Sequence, residues 1–168
     1  MRVLQHHRGE RVGVPWGEFA AQAPRLAEFG ALRLAAVPAY LATVDDSGVP
    51  RVHPVTPIVG DGRLFLFMEP TSPKGDDIVR RGVYALHSLV PDANGTGGEF
   101  SIRGRGERID DPQLRALAAQ AASYTPNDRY VLFELRIAEA RCKGYGDVAL
   151  PEPRSWRDTD SSPSSSAS

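Results

Sequence analysis

The sequence predicts a mainly β fold of the α+β class, a small antiparallel barrel of six strands with short flanking helices. Three observations predict it. Runs of alternating or β-branched residues recur between short Gly- and Asp-rich turn signals, the pattern of strands joined by hairpins. One run, Arg63-Leu-Phe-Leu-Phe-Met68, is apolar on both faces, as suits a strand covered on both sides. Three short helical patterns fall between or before the strands, which fits a barrel decorated by helices.

The elements follow in order. From Trp16 to about Ala31, the residues Trp16, Phe19, Ala20, Ala27 and Phe29 sit at partly helical spacing. Pro24 lacks a backbone N–H and clashes with the preceding turn, so it splits or restarts that helix. Tyr40–Val44 is a strand, Asp45-Asp-Ser-Gly48 a turn, and Val49–Val59 a second strand. Gly60-Asp-Gly62 turns the chain into the third strand, Arg63–Met68. Ser72–Arg81 reads as a helix with Gly82 as its left-handed cap. Val83–Leu89 is the fourth strand, and Pro91–Gly98 a loose loop. Glu99–Ile109 is the fifth strand, where Gly104 and Gly106 mark a bend, a bulge or a close approach. Asp111 caps an Ala-rich helix to Ala122, with Pro112 at its first position. Arg129–Ala140 is the sixth strand.

Composition narrows the function. At 168 residues the chain is one domain with room for a substantial core. It is 41% hydrophobic and 24% charged, a globular balance, and the net charge of −1 gives no reason to expect a nucleic-acid partner. No apolar run approaches the roughly 20 residues of a membrane span, so no membrane partner is expected. The opening Met1–Arg8 has too short an apolar region for a signal peptide. Cys142 is the only cysteine, which excludes an intrachain disulfide and fits a reducing compartment. These points read together as cytoplasmic. Residues 1–15 read as a polar arm, and residues 151–168 as a Pro/Ser-rich tail with little to bury, expected to be disordered. No paired Cys or His spacing suggests a metal site, and His6-His7 lies in the arm.

The chemistry concentrates in residues 50–74. Pro54 and Pro57 each remove a ladder donor, so the second strand is not a regular central strand. It is either an edge protected by proline or a strand whose free peptide groups face a ligand. The edge reading leaves Arg51, His53 and Thr56 unexplained; Arg51 and His53 share one face by period-2 alternation, with Thr56 on the other. In Thr71-Ser-Pro-Lys74, Ser72 is a good N-cap and Pro73 a good first residue. Lys74 is out of place there, since a cation at the positive end of the helix dipole costs roughly 0.3–1 kcal/mol. A bound anion, shared by Lys74, the Ser72 hydroxyl and free backbone N–H groups, removes that conflict. Asp76 and Asp77 already supply the usual first-turn acids.

These segments, with Tyr40-Leu-Ala-Thr-Val44, Tyr84-Ala-Leu-His87 and Glu99-Phe-Ser-Ile-Arg-Gly-Arg105 in the same order, resemble the pyridoxamine 5′-phosphate oxidase-like family over residues 16 to 145. The resemblance implies a six-stranded antiparallel split β-barrel over residues 16–150, with FMN as cofactor. It implies that Arg51, Val52, His53, Pro54, Val55 and Thr56 run along the flavin ring, that Phe67 and Met68 lie nearby, and that Ser72 and Lys74 hold the phosphate. It further implies a homodimer with the cofactor at the interface. The oxidase itself carries Arg-Lys where this chain has Pro73-Lys74, so one phosphate cation is missing, and the C-terminal residues that bind the pyridoxal substrate have no match. The implied function is an FMN-binding oxidoreductase acting on an unidentified small molecule. Alternatives are an F420-dependent reductase, with Arg80-Arg81 for the acidic tail, a non-catalytic flavin- or haem-binding protein, and a cofactor-free dimeric barrel. Arg103 and Arg105 read as surface cations on one face of the fifth strand, in reach of an anionic substrate.

Overall fold

A computed structural model describes residues 12–159. The chain runs α1 (Trp16–Gln22), α2 (Pro24–Ala35), β1 (Ala39–Val44), β2 (Pro50–Val55), β3 (Ile58–Gly60) and β4 (Arg63–Met68). It continues through α3 (Pro73–Arg81), β5 (Val83–His87), β6 (Glu99–Ile109), α4 (Pro112–Ala121), β7 (Val131–Lys143) and β8 (Ser155–Arg157). The strands form one antiparallel sheet in the order β2-β1-β5-β6-β7-β4-β3, with β8 added to β7.

Several boundaries follow from single residues. Pro24 starts α2 directly after α1, as its missing N–H requires. Gly82 closes α3 at φ 72° and donates its N–H to Ile78 O at 2.8 Å. The Asp111 carboxylate accepts the N–H groups of Gln113 and Leu114, capping α4. The β6 glycines mark a close approach: a Cβ on Gly104 would collide with the Arg136 carbonyl, beside the point where Ala138 of β7 is an extra residue in the pairing.

The expected single strand Val49–Val59 is two. β2 pairs only with β1, setting His53 opposite Leu41, while β3 pairs with β4, setting Ile58 opposite Phe65. These are the two ends of the sheet, yet only Thr56 and Pro57 separate them in sequence. A two-residue link spans about 7–10 Å, so the sheet must curl until its edges nearly meet. That curl makes a half-barrel. It also places Pro54 on a true edge strand, where a missing donor is cheap.

β4 is covered on both faces, as its composition predicted. Leu64, Leu66 and Met68 enter the main core with Phe19, Leu26, Leu41 and Phe100, while Phe65 joins Ile58, Leu132 and Ala118 beneath α4. Each fully buried aromatic or aliphatic side chain contributes roughly 1.5–3 kcal/mol. Cys142 is a buried β7 residue within the main core.

The two termini depart from expectation where they are described. Val14 exchanges two backbone hydrogen bonds with Ile137, at 2.9 and 2.8 Å, so the arm is anchored before α1; residues 1–11, including His6-His7, lie outside the described residues. The tail expected over 151–168 contains β8, a correction for residues 155–157. The Trp156 ring packs tilted, 5.0 Å from that of Phe19, and its indole N–H donates to Gln22 Oε1. One aromatic gave this segment enough surface to dock. Residues 160–168 lie outside the described residues.

Candidate functional site

The start of α3 meets the inward face of β2. α3 sits low on the sheet because Gly75 has no side chain: a Cβ there would stand 3.3 Å from the Phe133 ring and 3.7 Å from Met68 Sδ. β2 alternates as the sequence predicted. Arg51 and His53 are half-buried, and Val52 and Pro54 are exposed on the opposite face.

Four polar groups converge here. The Lys74 ammonium donates to Ser72 Oγ at 2.9 Å and forms no ion pair among the described residues; burial pushes its pKa down. Ser72 occupies the N-cap position, but its side chain makes no capping bond. The expectation of a hydroxyl cap is therefore corrected, since the hydroxyl is turned to Lys74. The Ser72 carbonyl takes the N–H groups of Gly75 and Asp76 at 3.0 and 3.2 Å, and Pro73 has none, so fewer backbone donors are open than the helix start promised. The His53 Nε2 is buried with no hydrogen-bond partner. Burial first, then the positive charges of Lys74 and Arg51, hold its pKa below the ordinary histidine value, and Asp77 partly offsets them.

Arg51 behaves differently from Lys74. Its Nε lies 3.1 Å from Asp77 Oδ2 and its Nη2 3.5 Å from Asp45 Oδ2. The same Asp77 oxygen accepts the Thr43 hydroxyl at 2.7 Å. Asp77 and Thr43 are both buried, and sequence reasoning missed their role by treating Asp77 as an ordinary first-turn acid. The available signal was Thr43 itself, a polar residue at an inward position of β1 that needed a buried partner.

The remaining predicted positions disperse. Val55 and Met68 lie in the main core, and Thr56 is half-buried in the link between β2 and β3. Phe67 faces α4, with the Arg115 guanidinium 5.1 Å over its ring. Val52 lines a shallow outer cavity of about 400 Å³ with Tyr40, Ala42, Ala85, His87 and Ser101. Arg80 pairs with Asp46, and Arg81 donates to the carbonyls of Asp45 and Asp46, so this pair staples the β1–β2 turn to α3. Arg103 borders the outer cavity against Glu139, and Arg105 enters a groove beside Gly82.

Among the described residues, no cluster of His, Cys, Asp or Glu is arranged to hold a metal ion, and no helix is long and apolar enough to cross a membrane. The profile of the pyridoxamine 5′-phosphate oxidase family matches residues 26–144, more than half the chain. The chain belongs to the pyridoxamine 5′-phosphate oxidase family. Solved structures share its split-barrel fold. A heme-binding protein from Mycobacterium smegmatis aligns at TM-score 0.58 with 22% identity, covering 72% of this chain but only 55% of that longer one. PhzG from Burkholderia lata 383, in complex with tetrahydrophenazine-1-carboxylic acid, aligns at 0.53 with 17% identity over 79% and 82% of the two chains. The heme storage protein HutZ from Vibrio cholerae aligns at 0.55 with 15% identity over 73% and 95%. No curated protein matches the chain at a significant level. At these identities the neighbours establish the family fold, and the site chemistry rests on this family member's own residues.

Proposed function

We propose that this member of the pyridoxamine 5′-phosphate oxidase family binds FMN between two copies of the chain and acts as an oxidoreductase on a small molecule. Lys74 carries the proposal. It is a half-buried ammonium without an acid partner among the described residues, at a helix start where its own charge is disfavoured. A phosphate monoester relieves both conditions, so the residues present fit the cofactor's anionic end. The cleft on the other side of Arg51 does not fit an anion, because Asp45, Asp46, Asp76 and Asp77 line it against Arg51 and Arg80.

Bound there, FMN supplies hydride chemistry. Lys74 and Ser72 fix the phosphate, and the edge of β2 from Arg51 to Val55, followed by Thr56, borders the space beside it. Asp77 and Thr43 hold Arg51 as a fixed, partly neutralised charge. Tyr40, Val52 and Val83 leave apolar surface exposed on the outer side of β1, β2 and β5, and a second copy of the chain supports that pattern best. The single buried cysteine supports a reducing compartment.

F420 ranks lower, because Arg80 and Arg81, the cations available for its acidic tail, are already engaged. A second reading, haem binding without catalysis, draws on His87. Its Nδ1 lies 2.7 Å from Ser88 O, the arrangement in which a metal-ligating imidazole is held. Its Nε2 lies 3.8 Å from Glu99 Oε1 and would have to turn from that carboxylate to reach a ligand in the outer cavity. Absorption spectra during titration with FMN, F420 and hemin separate these readings. FMN affinity should fall about 10- to 100-fold in Lys74→Ala, the loss of one charge-assisted contact, with riboflavin affinity unchanged. Unchanged FMN affinity would sink the phosphate assignment, and a hemin spectrum that depends on His87 would favour the second reading.

A further inference from the structure

Resting on the phosphate reading above, we propose that His53, and not Arg51, is the second cation of the anion site, taking up a proton from solvent as the anion binds. A phosphate monoester carries nearly two charges at neutral pH, and Lys74 answers one. Two side chains on the inward face of β2 stand beside it as candidates for the second. Arg51 is committed to two carboxylates as an ion pair, although its Nε makes no hydrogen bond: Asp77 Oδ2 lies 3.1 Å from Nε and Asp45 Oδ2 3.5 Å from Nη2. Moving Arg51 to an anion would strip a buried carboxylate of its cation, leaving only the Thr43 hydroxyl. His53 has no such commitment, and its Nε2 is enclosed without a partner.

The charges facing His53 are Lys74 and Asp77 from α3 and Arg51 from its own strand. With no ligand, burial and the two cations favour the neutral ring, and Asp77 opposes them weakly. A dianion placed against Lys74 reverses the balance, because a negative charge within about 4–6 Å typically raises a neighbour's pKa by 1–3 units. Linkage is reciprocal, so each unit gained by the imidazole is a tenfold tightening of the anion as the ring becomes protonated. The arrangement answers a question the sequence raised. Pro73 brings neither a charge nor an N–H beside Lys74, and a conditional cation arrives from β2 instead. Binding of phosphate-bearing ligands then strengthens as pH falls, until the phosphate itself takes a proton near pH 6.

The test follows the His53 ring by NMR titration of the full chain, assigned with His53→Gln, in sodium sulfate against sodium chloride at matched ionic strength. Sulfate stays dianionic throughout, so its effect reports the site and not the ligand's own titration. The expected result is a His53 pKa about one unit higher in sulfate than in chloride, with the rise abolished by Lys74→Ala. A second arm adds FMN or riboflavin: FMN should raise the pKa and riboflavin should not, and His53→Gln should weaken FMN about tenfold near pH 6 and little at pH 8. A His53 pKa indifferent to sulfate and to FMN, while FMN still binds through Lys74, overturns the inference and leaves the proposed function standing. An equal response to FMN and riboflavin places His53 at the ring and also overturns it. A sulfate response without any FMN binding upholds the anion site and removes the FMN reading.

Discussion

The two faces of β2 belong to different kinds of surface, although their residues alternate along six positions. The inward face carries Arg51 and His53 against the start of α3, where charges are packed against one another, Lys74 has no ion pair among the described residues, and His53 Nε2 and Arg51 Nε are enclosed without a hydrogen bond. The outward face carries Val52 and Pro54, continuous with exposed Tyr40 and a cavity floored by Ala42 and Ala85. An inward face of this kind asks for a small charged ligand. An outward face of this kind asks for apolar cover. A single edge strand serves both because a strand's side chains alternate, and an edge leaves its remaining backbone groups free.

Each face can be broken separately. The largest effect is expected from Val52→Glu, which puts an unpaired carboxylate into the outer face. Self-association should weaken by about 3 kcal/mol, roughly hundredfold, seen as a shift toward monomer in sedimentation velocity, with the isolated chain still folded. If the oligomeric state is unmoved, the outer face is not the subunit contact.

Asp77→Asn tests the inward face. The amide keeps a hydrogen bond to Thr43 but loses the ion pair with Arg51, whose side chain is 40% exposed. After allowance for that exposure, a stability loss of about 1–2 kcal/mol is expected in urea unfolding. Released from Asp77, Arg51 becomes available to an anion, so FMN affinity should rise several-fold despite the lower stability. A fall in both quantities would mean that Arg51 serves the ligand only while Asp77 holds it.

The smallest effect concerns pH. His53 has a lowered pKa in the folded chain, so the unfolded chain binds more protons between that value and about 6.5. Its contribution is fully present above pH 6.5 and is lost as pH falls through the folded value. In thermal unfolding from pH 7.5 to 5, His53→Gln should flatten the decline on the acid side and leave the neutral plateau unchanged. A wild-type profile identical to that of the variant would show that the ring is not held neutral.

Much of the local structure was legible because it rests on single residues with narrow backbone options. Pro24 divided two helices, Gly82 and Asp111 ended and began others, and the bounds of β6 matched residue for residue. The segment 49–59 misled because a continuous β pattern says nothing about which neighbour each half finds. Only pairing decides that, and here the halves pair at opposite ends of the sheet. Arg103 and Arg105 keep the one-face spacing the sequence suggests, because β6 stays in unbroken register with β5 and the extra residue, Ala138, lies in β7. The docking of the tail turned on Trp156 finding Phe19, a contact between residues 137 positions apart that no local pattern encodes.

By itself the sequence determined the class of fold, the helix caps, the alternation of β2 and the misplaced lysine. Those follow from propensity, periodicity and the dipole of one helix, all short-range properties of the chain. Tertiary structure alone decided which cation stays free. Arg51 and Lys74 look equally available in sequence, but Thr43 and Arg51, carried by neighbouring strands, meet Asp77 of α3 across separations of 34 and 26 positions. A buried carboxylate must take its counter-charge from whatever the fold brings within about 3 Å. It took Arg51, and left Lys74 with no ion pair among the described residues and His53 Nε2 with no hydrogen-bond partner.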